Sequence, residues 1–223
     1  MPPTTTTPRR PTVADTSTST PLQPSPAEAW RLLQAGNDRF VSGDVAHPNQ
    51  NAARRSSLTE SQHPIAVIFG CSDSRLAAEI IFDVGLGDVF VVRTAGQVID
   101  DAVLGSLEFS VDSLQVPLIV VLGHDSCGAV TAALESSTTG QLPAGYVRDL
   151  VERILPSVLA AQRDGADTVN ETVVEHVKQT TERMIDQSRV LHDAVADGRT
   201  AVVGVTYRLA EGRADLVSQV GQL

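Results

Sequence analysis

Two five-residue stretches carry no polar side-chain atom: Ile65-Ala66-Val67-Ile68-Phe69 and Leu118-Ile119-Val120-Val121-Leu122. Neither alternates apolar with polar residues, as a strand with one wet face would. Both are expected as strands buried on two faces, which a parallel sheet covered by helices provides. Each run ends in a glycine, Gly70 or Gly123, and each glycine is followed by potential metal ligands. One cluster is Cys71-Ser72-Asp73-Ser74-Arg75; the other is His124-Asp125-Ser126-Cys127. The chain has only two cysteines, and these clusters hold both.

The intervening sequence fits this sheet. Residues 88–92 read as a second buried strand and 200–205 as a fourth, with a closing hairpin around Glu211-Gly212. Helices are expected at 77–82, from Asp100 or Asp101, from near Ser126, and over 144–162 and 169–196. Strands separated by helices give a largely parallel α/β sheet with right-handed crossovers. Ligands of such sheets sit beyond the carboxyl ends of the strands, where both clusters fall. No GxGxxG fingerprint or P-loop is present, which argues against a nucleotide enzyme.

Upstream, residues 1–24 are Thr, Ser and Pro with little to bury and are expected to be a disordered tail. The folded domain is expected over 25–223, beginning with a helical arm at 25–43. Ser25 offers an N-cap, Pro26 suits the first helical position and Glu28 completes a capping box. The arm's stripe of Trp30, Leu33, Asn37 and Phe40 can pack on its own domain or on a second subunit.

A formal charge of −10 and the lack of any Lys/Arg cluster larger than a pair exclude a nucleic-acid partner. No apolar run approaches the roughly 20 residues of a membrane span. Arg9-Arg10 is not followed by a hydrophobic region, so no export signal is expected and the protein is placed in the cytoplasm. Two distant cysteines do not make a disulfide scaffold.

Two thiolates and an imidazole from Cys71, His124 and Cys127 favour zinc over magnesium or calcium. A helix starting near Ser126 would help keep Cys127 deprotonated. Three protein ligands leave a fourth position for water, as in catalytic zinc sites; Asp73 in that position would instead give a closed site. Buried, inert cysteines and a non-catalytic zinc that only ties two loops together are the bland alternatives. Arg75 can hold Asp73 by two hydrogen bonds, keeping the carboxylate ionised and off the metal. Taken alone, that pair is equally well a loop salt bridge.

The motifs Cys71-Ser72-Asp73-Ser74-Arg75, residues 87–93 (Gly-Asp-Val-Phe-Val-Val-Arg), Ser106-Leu107-Glu108-Phe109, and Gly123-His124 with Cys127-Gly128 resemble, in order and spacing, a β-class carbonic anhydrase, and the run Ala78-Glu79-Ile80-Ile81-Phe82-Asp83 with the loop Arg93-Thr94-Ala95-Gly96 resembles its actinobacterial members most. The resemblance implies four parallel strands plus an extra edge strand. It implies one zinc ion per subunit held by Cys71, His124 and Cys127, with Asp73 joining only in a closed state. Asp73 and Arg75 would be the catalytic dyad. Gln62, Phe90, Ala95 and Phe109 would contact substrate, although Phe109 and Thr94 depart from the residues many members carry. The implied reaction is reversible hydration of carbon dioxide to bicarbonate and a proton through zinc-bound hydroxide. The implied assembly is a homodimer that many members pair into tetramers, with the N-terminal helix embracing the partner. Trp30 is the only tryptophan and lies in the arm, which speaks against a noncatalytic bicarbonate site. A related carbon disulfide or carbonyl sulfide hydrolase would share the metal site. Of the histidines, His47, His63, His176 and His192 lack a motif and are expected to be ordinary surface or capping residues.

Overall fold

The computed structural model describes residues 23–223, so nearly all of the expected tail lies outside it. Five strands form one sheet: β1 (Ala66–Cys71), β2 (Val89–Thr94), β3 (Leu118–His124), β4 (Ala201–Arg208) and β5 (Arg213–Val220). Their spatial order is β2-β1-β3-β4-β5. The first four are parallel and β5 returns antiparallel to β4, as the hairpin reading required. The two all-apolar runs fall in the neighbours β1 and β3, and every residue of these two strands is buried.

This order positions the site. The connection leaving β1 runs to β2 on one side, while that leaving β3 runs to β4 on the other side. Beyond the carboxyl ends of β1 and β3 the two connections part and leave a crevice, the usual ligand position of an open parallel sheet. Gly70 pairs with Leu122 in register, so Cys71 and His124 finish adjacent strands almost level.

Eight α-helices accompany the sheet among the described residues: α1 (Pro26–Ser42), α2 (Ala52–Ser57), α3 (Ala78–Ile81), α4 (Asp101–Asp112), α5 (Gly128–Thr139), α6 (Val147–Arg163), α7 (Val169–Gln187) and α8 (Arg189–Ala196). α7 lies along β3, β4 and β5. Gly123 permits its close approach, because a Cβ there would run into Val177. α1 starts with the expected capping box between Ser25 and Glu28. It buries Ala29, Trp30, Leu33 and Asn37 against its own chain. Asn37 donates to the carbonyls of Ile81 and Gly212 and accepts from the Ala214 N–H, tying α1 to α3 and the β4–β5 turn. Burial of the arm's stripe therefore needs no second subunit.

Local signals misjudged some elements. β2 is half-buried rather than buried on both faces, because it is the sheet's edge in this chain. The segment 169–196 is two helices: Ser188 breaks it, capping α8 by accepting from the Leu191 N–H and donating to Glu108. α2 lies between the arm and β1, where no element was expected.

Candidate metal centre

Cys71 is the last residue of β1, His124 the last of β3, and Cys127 caps the N-terminus of α5. Their ligand atoms all lie within 4.8 Å of one another, and all three residues are buried. The turn that brings Cys127 back beside His124 is tightly held. Ser126 takes a left-handed φ of 53° and donates its N–H to Asn170 of α7 at 2.9 Å. The Asp125 N–H donates to the Tyr207 carbonyl, and the Leu209 N–H to the Asp125 carboxylate.

His124 is oriented by its own backbone. Nδ1 donates to the Asp125 carbonyl at 2.8 Å, which leaves Nε2 as the ring's lone pair. That nitrogen is fully buried and has no hydrogen-bond partner. Buried polar atoms are rarely left unpaired, and an imidazole fixed through its other nitrogen is how metal-binding histidines are presented.

The sulfur electrostatics agree. Hydrogen bonding from Cys127, opposed by burial and aided by the Gly96 N–H at 3.2 Å, lowers the Cys71 thiol to about 4. The same contact pushes Cys127 up, so the two sulfurs share one proton. The Ala129 and Val130 N–H groups, in the first turn of α5, favour a second thiolate. A metal ion displaces the remaining proton. Two sulfurs and one nitrogen suit zinc, and the three together leave one tetrahedral position free.

Asp73 stands beside this cluster, not in it. Its Oδ2 is 3.9 Å from His124 Nε2. Arg75 grips both oxygens, with Nε to Oδ1 at 2.9 Å and a terminal nitrogen to Oδ2 at 2.7 Å, and its N–H adds a third bond to Oδ1. This guanidinium holds the carboxyl well below the usual carboxylate range, against the opposing effect of burial. Arg93 secures the loop by donating to the carbonyls of Cys71 and Asp73. The sequence motif contained Arg93, but only the fold reveals this clamp.

The expected substrate contacts separate into two groups. Ala95 opens the 3-10 turn Ala95–Gln97, directly after Thr94, the register partner of Cys71. Phe90 pairs with Val67, four positions before Cys71, or about 13 Å along the strand. Its ring lies against that of Phe109, tilted by 44° with centroids 6.3 Å apart, and Phe109 is half exposed. Gln62 lies beyond the amino end of β1 in a groove with Leu58, Leu86 and Leu114, at least about 17 Å from the level of Cys71. The chain does not bring Gln62, Phe90 or Phe109 to its own metal centre. His47, His63 and His192 are exposed as expected. His176 is not: it is buried, bonded to Gly96, and carried no sequence signal.

A sequence profile described as carbonic anhydrase matches residues 66–214. Carbonic anhydrase 2 of Mycobacterium tuberculosis is 56% identical over 199 residues, covering 89% of this chain and 96% of that protein. The carbonic anhydrase of Mycolicibacterium smegmatis is 53% identical over 199 residues, covering 89% and 97%. A tetrameric β-carbonic anhydrase of Sordaria macrospora superposes with a TM-score of 0.69 at 22% identity, covering 87% of this chain and all of that one, so the fold is shared as well.

Proposed function

Because the chain belongs to the β-carbonic anhydrase family, and so to the carbonate dehydratase lyases, we propose that it hydrates carbon dioxide reversibly at a zinc ion held by Cys71, His124 and Cys127. The observation that carries this reading is the buried, unpartnered His124 Nε2 facing two thiols. Bound zinc supplies Lewis acidity that makes water a nucleophile near neutral pH.

The chain's own residues do the rest. Asp73 accepts a hydrogen bond from water at the open side of the cluster and fixes its direction. Arg75 keeps that carboxylate ionised, so it orients the water without retaining the proton, which leaves to solvent at the exposed side of Asp73. Arg93 keeps the loop carrying Asp73 in place. Ala95 offers an apolar surface beside Cys71 for a substrate without charge or dipole.

Gln62, Phe90 and Phe109 can serve only a second copy's centre. The half-exposed edge strand β2, with Leu86 and Phe109 exposed beside it, supports a homodimer formed through this side. Two free thiols this close stay reduced in the cytoplasm, the compartment we assign. Stopped-flow hydration of carbon dioxide tests the activity. It is expected to vanish on metal stripping and return with one zinc per chain; full activity in metal-free protein would refute the proposal.

A further inference from the structure

α7 supplies no ligand, yet it points a buried histidine at the loop behind the site. His176 is 2% exposed, between Val173 and Val177 on the face that covers the sheet. Its Nε2 lies 2.8 Å from the Gly96 carbonyl. A carbonyl can only accept, so Nε2 carries the proton. Nδ1 lies 2.9 Å from the Ser157 hydroxyl of α6, whose single proton Nδ1 shares with Gln179 Oε1 at 3.0 Å. Burial lowers the imidazole to about 4, so it is neutral at physiological pH and this tautomer is kept.

Gly96 sits between the histidine and the metal centre. Its carbonyl meets His176 and its N–H meets the Cys71 sulfur. These two groups belong to successive peptide units joined at the Gly96 Cα, so the torsions at that atom decide where the N–H points. Gly96 holds φ 65° and ψ 24°, a left-handed conformation. Gln97 follows at φ 41°, uncommon for a residue with a side chain. Two adjacent left-handed residues do not hold such a turn unaided; its surroundings must determine it. Thr94 fixes one end by donating to the Val98 carbonyl. His176 fixes the middle.

We propose that His176 is a positioning residue for the metal centre, anchoring the Gly96 carbonyl so that the Gly96 N–H stays aimed at the Cys71 sulfur. This rests on the zinc reading above and extends it to a residue 80 positions from Gly96. Groups that orient a metal ligand from behind typically change metal affinity by about 10- to 100-fold when removed.

The test uses full-length His176→Phe, which fills the space without a donor, and His176→Gln, which restores an N–H. Two readouts are independent of turnover. One is the rate at which bound zinc is lost to a chelator; the other is the sulfur-to-metal charge-transfer band of cobalt-substituted protein. His176→Phe is expected to release zinc about tenfold faster and to move the band to lower energy, because a sulfur hydrogen bond is lost. His176→Gln is expected to return both toward wild type. Leu191→Ala, a core truncation in α8, should change neither while the protein is folded. Unchanged release and an unchanged band in His176→Phe, or no rescue by His176→Gln, overturns the proposal. Should His176→Phe fail to fold, Ser157→Ala, which removes the partner of Nδ1, is expected to shift the band the same way by less; no shift there is equally fatal. Failure of the wild-type protein to take up either metal would instead refute the metal centre itself.

Discussion

Substituting Gly96 by alanine tests how closely the fold and the site depend on each other. At φ 65° an alanine costs about 1–2 kcal/mol relative to its preferred conformations. Its Cβ would lie 2.8 Å from Ala129 Cβ and 2.9 Å from Ile154 Cδ1. The Ile154 methyl ends a flexible side chain and can swing aside. Ala129 cannot: its methyl is fixed to α5 two residues beyond Cys127. Overpacking of this kind adds about 1–3 kcal/mol, so the expected destabilisation is about 2–5 kcal/mol. With a urea m-value of about 3 kcal/mol/M, the midpoint should fall by roughly 0.7–1.7 M. The measurement is urea unfolding of metal-free protein at fixed concentration, followed by circular dichroism. A midpoint within about 0.2 M of wild type would show that the loop is not wedged against α5 and would refute this reasoning.

Other perturbations separate the roles of neighbouring residues. Asp73→Asn should lower hydration by about 10²- to 10⁴-fold while the zinc content of the protein is unchanged; loss of zinc would make the carboxylate structural. Arg75→Gln should raise the Asp73 pKa toward the ordinary range. A depressed carboxylate stabilises the fold above its unfolded value, about 3.9, and that contribution is lost as pH falls through the folded value. The variant should therefore protonate Asp73 at higher pH in a carboxyl-carbon NMR titration, and an unshifted curve would count against the ion pair. Leu86→Arg, on the exposed side next to β2, should turn a dimer into a monomer in sedimentation velocity; an unaltered dimer would place the interface elsewhere.

The legible parts of this molecule were those decided locally. β1 and β3 could be read because the runs 65–69 and 118–122 contain no polar side chain, and Cys71, His124 and Cys127 because such residues at strand exits have few other uses. The α1 start was written in Ser25, Pro26 and Glu28 alone. What escaped depends on contacts distant in sequence. Residues 89–92 are as apolar as a central strand, and only the pairing order makes β2 an edge. Ser188 lies between two helical patterns that join smoothly on paper, and its partner Glu108 is 80 residues away. His176 occupies an inward position of an amphipathic helix, and nothing around it names Gly96. Gln62, Phe90 and Phe109 follow from the resemblance, and a motif does not say how far from the metal centre the fold leaves a residue.

X-ray absorption at the zinc edge, on protein reconstituted with one zinc per chain, examines the ligand set itself. The expected spectrum has two sulfurs at about 2.3 Å and at least one imidazole nitrogen at about 2.0 Å, with one sulfur lost in Cys71→Ser and in Cys127→Ser. A first shell of nitrogen and oxygen alone, unchanged by either substitution, would contradict the assignment of Cys71, His124 and Cys127.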